Sequence, residues 1–515
     1  MASGLEIFSA ITGCVALAIA VHGFFQDQLQ DQEADSVILS IRNDIAILRD
    51  FARIFDSAAK DDRILISDKL LLNEICLTLQ PLLVSIQNWI VRRQMAHLTA
   101  SPTRKVTDKI LGFLYKQAEL QKVALQLFQW TERYHIRLGL LPPPLKERLL
   151  TSSDEVDSLS SSGLRVLRDT FAKLTMQSQH ISDTRLRKAE REVVLRSGPS
   201  ASRMFATLGQ ETMIVEFKPH KSTLAGQELS IFESDVTKLV KLLSCAEAPL
   251  CRILRAAGYF HQSSRSCFAY LYQFPKNVSV SAGATSPRTL LDLICTTRPS
   301  PRTGSSQTEL LPPQHALEER FEFARKIACA VMYVHMMQYV HKSIRTSNIV
   351  VLSQKAAATT PETGGFPERL GEPFLCGFET ARHDKATSDQ RGDAHWRYNI
   401  YRHPKRQGLH PQERYTMNHD IYSLGVVLLE LGVWRPLLST GLAKLKDSTD
   451  EEVAAGKVKD YLKKMAKERL PIVMGTKYCE TVLFCLDVEG DGQIGSLTVI
   501  EEVLRKLEEL AVGMQ

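Results

Sequence analysis

The stretch YVHKSIRTSNIVVL, residues 339–352, decides how the second half of the chain is interpreted. It follows the long segment LEERFEFARKIACAVMYVHMMQ, in which apolar residues recur at helical spacing, and it runs into the apolar series IVVL. The polar loop between them has the composition of a catalytic loop, but it contains a serine, Ser343, and no acidic residue. Whether the chain is an enzyme therefore depends on what surrounds this loop.

Further segments stand in a definite order around this loop. Upstream, TMIVEFKPH predicts a strand that ends close to Lys218, SDVTKLVKLLS predicts a short helix, and SCFAYLYQFP predicts another strand. Downstream come FLCGFETAR (residues 374–382), YRHPKRQ (residues 401–407) and HDIYSLGVVLLELGVW (residues 419–434). The last of these predicts a helix, as does the closing IEEVLRKLEELA.

The order of these segments resembles that of protein kinases, from about Thr207 to the C-terminus. Four motifs fall in sequence, which makes the resemblance more specific than a single short match. The loop is similar to the kinase catalytic loop, whose pattern is His-Arg-Asp-Leu-Lys-x-x-Asn. The matching residues of this chain are His341, Lys342, Ser343, Arg345 and Asn348.

The downstream motifs continue the resemblance. FLCGFETAR is similar to the metal-binding Asp-Phe-Gly segment, with Gly377, Phe378 and Glu379 at its three positions. YRHPKRQ resembles the Ala-Pro-Glu segment, with Pro404 retained and a lysine in place of the glutamate. Asp420 matches the structural aspartate with which the next kinase helix begins.

The two acidic groups on which magnesium-dependent phosphoryl transfer rests are missing from these motifs. Ser343 cannot act as a carboxylate base, and Gly377 offers no side-chain ligand for a metal ion. In the family, the residues that match His341, Phe378 and Asp420 pack or tie the core together. The resemblance therefore implies a pseudokinase, and whether the chain is an enzyme stays uncertain.

Nucleotide binding is the remaining chemical question. Lys218 fits the strand lysine that contacts ATP phosphates, and the alternative is an exposed residue at the end of a strand. RMFATLGQE before it lacks a GxGxxG loop, and KLVKLLS offers no acidic partner. Asn348 is the other candidate contact, although one amide is a poor cation site. ATP binding is therefore open, and we expect Mg²⁺ to bind weakly or not at all.

The N-terminal segment has a different character. Residues 7–25, IFSAITGCVALAIAVHGFF, are almost uncharged, and apolar residues then recur at helical spacing from residue 38 to residue 141. The predicted arrangement is multidomain: an all-α helical bundle over residues 1–150, a linker and connecting helix over 151–197, and an α+β bilobal kinase-like fold over 198–515. Its N-lobe covers about 200–275 and its C-lobe about 285–515.

Residues 7–25 are either a helix buried in the bundle or one that can enter a bilayer. The segment resembles, by pattern and arrangement, the HeLo or HeLo-like domains of fungal cell-death and incompatibility proteins. That resemblance implies a helical bundle whose first helix inserts into membranes after release by a partner domain. The candidate membrane residues are Ile7, Phe8, Ile11, Val15, Ile19, Phe24 and Phe25.

Charge and cysteine content limit the partners and the compartment. The net charge of +6 over 515 residues is small, and the charges are mixed, which argues against a nucleic-acid binder. The ten cysteines form no CxxC pair, which indicates free thiols in the cytoplasm and no zinc site. DVEGDGQIGSLT (residues 487–498) imitates a calcium loop but has a threonine at the position of the required glutamate. No metal site is predicted.

The sequence thus predicts a regulated, non-catalytic signalling protein in which the kinase-like segment responds to an upstream protein. The helical segment would then oligomerise or engage an anionic membrane, which places the protein in the cytoplasm and, on activation, at the plasma membrane. Two alternatives stay open. One is an active, divergent kinase in which Asp384 or Asp393 substitutes for the missing acids, and the other is a soluble interaction scaffold.

Overall fold

The computed structural model divides the chain into two compact units, Met1–Ala172 and Lys173–Gln515. The structure describes residues 9–27, 36–60, 66–99, 122–127, 130–131, 183–196, 203–246, 248–275, 278–279, 286–299, 308–354, 366–384, 395–409, 411, 413–442, 451–490 and 496–513.

The first unit is helical wherever the structure describes it. Helix α1 spans Ser9–Asp27, α2 spans Ser36–Lys60 and α3 spans Ile66–Thr99, and residues 122–127 and 130–131 are also helical. This confirms the helical prediction for the described part of residues 38–141. Part of α3, Lys69–Arg92, is long and apolar enough to cross a membrane by length and composition, and a third of its most apolar window is buried.

Helix α1 packs one face against α2 and α3 and exposes the other. Ile11, Cys14 and Ala18 on the packed face are fully buried, and the Cys14 thiol donates to the Cys76 carbonyl oxygen over 3.1 Å. Ile19 on the other face is 42% exposed, and Val15 lies between these extremes. Among the candidate membrane residues, Ile7 and Phe8 lie outside the described residues, as do the side chains of Phe24 and Phe25.

The second unit contains an antiparallel sheet and a set of helices. The five-stranded sheet has the order β1-β2-β3-β5-β4, with every neighbouring pair antiparallel. Its strands are β1 Val193–Leu195, β2 Arg203–Leu208, β3 Glu211–Pro219, β4 Ala256–Gln262 and β5 Cys267–Gln273. Residues two apart along the strands share one apolar face: Met204, Ala206, Met213, Val215, Phe260, Ala269 and Leu271. A helical-then-α+β arrangement is therefore present.

Short strands form smaller antiparallel pairings, which put Ile349 opposite Leu375 and Val340 opposite Arg382. They are β6 Val278–Ser279, β7 Thr297–Pro299, β8 Thr308–Leu310, β9 Tyr339–Val340, β10 Ile349–Gln354, β11 Glu372–Leu375 and β12 Arg382–His383. Strands β7 and β8, which lie in a Pro- and Ser-rich stretch, pair with each other and put Thr297 opposite Leu310.

The helices of the second unit surround two that are almost wholly buried, α8 and α10. The helices are α4 Asp183–Leu186, α5 Gly226–Ser244, α6 Ala248–Cys251, α7 Leu290–Ile294, α8 Leu317–Met336, α9 Trp396–Asn399, α10 Met417–Val433, α11 Glu451–Val473, α12 Thr476–Asp487, α13 Ser496–Val499 and α14 Lys506–Gly513. A π-helical turn, Ile500–Arg505, leads into α14. Because most residues of α8 and α10 are buried, these two helices form the core against which the loop at 341–348 lies.

The charged run TRLRKAEREVVLR, residues 184–196, falls in the predicted linker and connecting helix over 151–197, but little of it is helical. Only its first residues belong to α4, and a 3₁₀ turn over Glu190–Glu192 leads into strand β1, which pairs Val194 with Thr207. The VVL sequence favours a strand because β-branched residues fit a pleated edge. The sheet therefore begins before residue 198.

Candidate functional site

The predicted catalytic loop lies beside strands β2 and β3, and a buried ion pair from those strands reaches into it. Arg203 on β2 and Glu216 on β3 are directly opposite each other in the strand register, and the Arg203 Nε atom lies 2.6 Å from the Glu216 Oε1 atom. Their side chains are 5% and 2% exposed. A pair of opposite charges at this depth stays ionised only because further hydrogen bonds satisfy its other atoms.

The rest of the Arg203 guanidinium is bound by the loop. Its Nη1 atom donates to the Ser347 carbonyl oxygen over 2.6 Å, and its Nη2 atom donates to the Asn348 side-chain oxygen. Burial opposes the charge of Arg203, but the negative charge of Glu216 raises its pKa above the ordinary value. A permanent positive charge therefore stands where the resemblance expects magnesium.

The Asn348 amide is engaged at both ends. While its oxygen accepts from Arg203, its nitrogen donates to the Ser343 carbonyl oxygen over 2.7 Å and to the Ser343 hydroxyl over 3.0 Å. The same hydroxyl accepts from the Arg345 Nη1 atom over 2.7 Å. Ser343 and Asn348 thus brace the loop, and neither has a side-chain oxygen without a donor.

Gly377 fits this cluster only because it lacks a side chain. Its amide donates to the Glu216 Oε1 atom over 2.6 Å, and its φ of +92° is a left-handed conformation that favours glycine. A Cβ atom at this position would lie 2.2 Å from the Asn348 amide nitrogen. Asn348 therefore fills the space that the side chain of an aspartate would need.

Lys218 sits at the edge of the same cluster, near the end of β3. Its Nζ atom donates to the Glu379 carbonyl oxygen over 2.5 Å and lies 5.4 Å from the centre of the Phe232 ring. Burial lowers the pKa of Lys218, although the negative charges of Glu379 and Asp235 act in the opposite direction. Asp235 belongs to α5 and forms an exposed pair with Lys238, so the helix after β3 supplies a carboxylate that contributes only a distant attraction.

Glu379 is a carboxylate that lies near charges of both signs, Glu216 and Arg345. Burial and the charge of Glu216 raise its pKa, and the Arg345 guanidinium, whose Nη2 atom is 3.6 Å from the Glu379 Oε1 atom, opposes them. Its backbone carbonyl holds Lys218. The resemblance assigns Glu379 to a glycine position, yet here it adds a charged side chain and a lysine contact.

A second buried carboxylate, Asp420 in the first turn of α10, also holds the loop. It accepts from the amides of His341 over 2.7 Å and Lys342 over 3.0 Å, from the Tyr415 hydroxyl over 2.8 Å, and from the His335 Nε2 atom over 3.3 Å. Burial alone would raise the pKa of Asp420, but hydrogen bonding to His335 and the attraction of His335 and His341 lower it. Asp420 is thus a fully satisfied structural acid.

The rings of His341 and Phe378 pack against each other. Their rings lie edge to face with centroids 4.7 Å apart, and both side chains are buried. Burial lowers the pKa of His341 to about 4, so its ring is neutral at physiological pH. The His341 Nδ1 atom accepts from the Ser343 amide over 3.3 Å, which ties the ring to the loop's own backbone.

Several arginines lie close enough to Lys342 of the loop to affect its charge. Burial lowers the pKa of Lys342 to about 8, and the neighbouring charges of Arg382, Arg406 and Arg402 add to the effect. Pro404 begins the 3₁₀ turn Pro404–Arg406, next to this group in the sequence. Asp384 follows β12 and takes part through its backbone carbonyl, which accepts from Arg382 and Arg414. Asp393 lies outside the described residues.

The predicted site residues thus come together, but two residues that hold them together were missed. Arg203 and Glu216 carry no motif, and the available signal was a charged residue on each of two otherwise apolar strands, RMFATL and TMIVEFK. Charges on buried strands are rare unless they are paired. No family model matches the chain, and no curated protein matches it.

Proposed function

We propose that this protein is a non-catalytic signalling protein in which a pseudokinase segment regulates a helical effector segment. The observation that supports this best is the network of Arg203, Glu216, Asn348 and Gly377. Its members donate to and accept from one another, and two of them, Asn348 and Gly377, match the positions at which a kinase presents ligands to magnesium. Such a network stabilises a fold at the expense of transfer chemistry.

The electrostatics of the network also oppose magnesium. A divalent cation at Asn348 would stand beside the buried Arg203 guanidinium, in a site where Gly377 gives no carboxylate and Ser343 no base. Like charges repel strongly at this depth because water is excluded. In this proposal, ATP binds weakly through Lys218 or not at all, and any binding is independent of magnesium.

A thermal-shift titration with ATP, with and without Mg²⁺, tests the first half of the proposal. We expect no magnesium-dependent rise in the melting temperature. Lys218→Ala reports whether any ATP shift depends on the strand lysine, and Lys238→Ala, an exposed lysine of the same unit, is the matched control. Phosphate transfer from Mg-ATP that Lys218→Ala abolishes and Lys238→Ala keeps would instead support a divergent kinase.

The second half of the proposal concerns membranes. Helix α1 leaves Ile19 exposed, and α3 exposes Leu77, Val84 and Val91 along its apolar stretch. Exposed apolar residues on helices of this length favour an interface that is covered in another state of the protein. In this proposal an upstream signalling protein acts on the pseudokinase segment, and the helical segment then forms homo-oligomers or enters an anionic membrane.

Dye release from anionic and from neutral vesicles, measured with the full chain, tests this second half. We expect release from anionic vesicles, which Ile19→Asp reduces. Ile472→Asp is the control, since Ile472 is 81% exposed on α11 of the other unit. Vesicles that stay intact and unbound at every protein concentration would instead favour a soluble interaction scaffold.

A further inference from the structure

A cavity of about 700 Å³ lies where the end of α10, the segment after β8 and the second half of α11 meet. Its volume falls within the range of small-molecule sites in proteins, about 300–1,000 Å³. Apolar and aromatic side chains form much of its lining, among them Pro312, Pro313, Trp434, Tyr461 and Met465. We propose that this cavity binds a small organic anion, with an apolar or aromatic body and one acidic group such as a carboxylate or a phosphate.

Three basic residues and one acidic residue line the cavity. Arg435 follows Trp434, and Lys464, Glu468 and Arg469 belong to α11. The Lys464 Nζ atom lies 3.8 Å from the Glu468 Oε1 atom, at an exposed position. In the part of the chain that the structure describes, neither Arg435 nor Arg469 has a hydrogen-bond or ion-pair partner. Two guanidinium groups therefore face one cavity with their donors available, and a planar guanidinium binds the paired oxygens of a carboxylate or a phosphate.

Contacts outside the cavity hold its tryptophan wall in place. Trp434 has a φ of +48°, a left-handed conformation that is uncommon for a residue with a side chain, and it is 5% exposed. The centre of its ring lies 5.6 Å from the Arg320 guanidinium and 5.2 Å from the centre of the His315 ring. Arg320 also donates to the carbonyl oxygens of Leu431 over 3.0 Å and Gly432 over 2.7 Å, at the end of α10. The wall is thus formed before a ligand binds, which lowers the ordering cost of binding.

Tyr461 is fixed by the segment that follows the 3₁₀ turn Leu437–Ser439. Its hydroxyl accepts from the Gly441 amide over 3.0 Å, and both residues line the cavity. At the end of α11, Val473 lines the cavity and is 43% exposed, and its neighbour Ile472 is 81% exposed. The apolar surface therefore continues from the cavity to its rim, where it can contact the body of a ligand.

The combination of charge and apolar surface distinguishes an organic anion from other ligands. A divalent cation would meet an excess of positive charge, since the lining contains three basic residues and one acidic residue. An inorganic anion would use the arginines but leave the apolar wall in contact with water, without the gain from burying it. A ligand with both an acidic group and an apolar body uses both parts of the lining.

Fluorescence titration of the full-length protein with 1-anilinonaphthalene-8-sulfonate, an aromatic anion, tests the site. N-phenyl-1-naphthylamine, an uncharged molecule of similar shape, is the parallel probe. We expect saturable binding of the sulfonate, which Arg435→Gln and Arg469→Gln each weaken about threefold to tenfold and the double variant weakens more than about tenfold. The affinity for the uncharged probe should change less than about twofold in the same variants. Both arginines are exposed, so the variants should keep the fold, which circular dichroism checks.

Three further variants locate the bound probe. Met465→Trp places a larger side chain in the cavity and should abolish the binding of both probes. Glu468→Gln removes the negative charge beside Lys464 and should strengthen sulfonate binding about twofold. Lys467→Gln is the matched control, since Lys467 is an exposed basic residue of α11 outside the cavity lining, and it should leave both affinities unchanged.

Sulfonate binding that the double arginine variant leaves unchanged would overturn the proposal. Equal losses for Lys467→Gln and Arg469→Gln would overturn it too, because they would show a response to net charge alone. Arginine-dependent binding that persists in Met465→Trp would assign the anion to a surface outside the cavity, and a wild-type protein that binds neither probe would leave no site to assign. The result is independent of the pseudokinase proposal, since neither ATP nor vesicles enter the measurement.

Discussion

Glu216 and Asp420 are two buried carboxylates that hold opposite sides of one loop, and they do so with different partners. Glu216 accepts from a charged guanidinium, two backbone amides and a tyrosine hydroxyl. Asp420 accepts from two backbone amides, a tyrosine hydroxyl and a histidine. Asp420 lies in a motif that the sequence displays, whereas the partners of Glu216 come from segments far apart in the chain.

The difference shows which parts of the loop each carboxylate supports. The Asp420 cluster supports the backbone at residues 341–342, a role that requires no catalysis. Glu216 accepts from the amides of residues 377 and 378. Its partner Arg203 donates to the Ser347 carbonyl oxygen and the Asn348 side chain. The two carboxylates therefore hold one loop, Asp420 directly at residues 341–342 and Glu216 through Arg203 at residues 347–348.

The largest effect should come from breaking the Arg203–Glu216 pair. Arg203→Met leaves the buried Glu216 charge with two backbone amides and the Tyr272 hydroxyl as donors and no opposite charge, and we expect the unfolding free energy to fall by about 3–5 kcal/mol in urea denaturation. The double variant Arg203→Met/Glu216→Leu should recover much of this loss. Arg298→Met is the control, since Arg298 and Glu309 form the same cross-strand pair at an exposed position, and its loss should stay below about 1 kcal/mol.

Breaking the Asp420 cluster should have the next largest effect. Asp420→Asn keeps one acceptor oxygen but turns an amide nitrogen toward two of the four donors, so we expect a loss of about 2–3 kcal/mol in the same measurement. Asp235→Asn removes an exposed carboxylate of the same unit and should change stability by less than about 0.5 kcal/mol. Equal losses for the two variants would contradict a structural role for Asp420.

The variant Gly377→Ala tests how tightly the Asn348 side chain packs against residue 377. Gly377→Ala introduces a Cβ atom 2.2 Å from the Asn348 amide at a positive φ, and we expect a loss of about 2 kcal/mol or more. Gly209→Ala is the control because Gly209 also has a positive φ, +62°, but faces open space. It should therefore cost only the backbone strain of about 1 kcal/mol, and the difference between the variants measures the collision.

The effect that is smallest near neutral pH comes from His341, which changes stability only as the pH falls. Its pKa is about 4 in the folded protein and about 6.5 when unfolded, so the unfolded chain binds the extra proton first as the pH falls. Asp420 and Glu216 favour the charged ring, and Arg345 and Arg203 oppose it. Stability should therefore decrease between pH 6.5 and pH 4, by up to about 1.4 kcal/mol per pH unit from this group.

His341→Asn should reduce that slope, as measured by urea midpoints across the same pH range. His395→Asn, which changes an exposed histidine, should leave the slope as it is in the wild type. A slope that His341→Asn does not alter would show that other groups control the acid response of this unit.

The charged run at residues 184–196 shows where periodicity misleads. Its mixed charges predict a solvated helix, yet Val193, Val194 and Leu195 add a strand to the edge of the sheet. A three-residue edge strand carries too little pattern to be separated from a helix face, and only the pairing partner β2 decides the outcome. The strand at Lys218 was predicted correctly because its apolar run is long and bounded by turn residues.

The sequence by itself determined the helical character of the first unit and the main strands and helices of the second. These are local properties, since periodicity and residue type are written in consecutive residues. Only the tertiary structure decided that Arg203 binds the Asn348 side chain and that Glu413 and His419 face Gly490. These contacts join segments up to 145 residues apart, and no local pattern records which distant side chains will share a buried space.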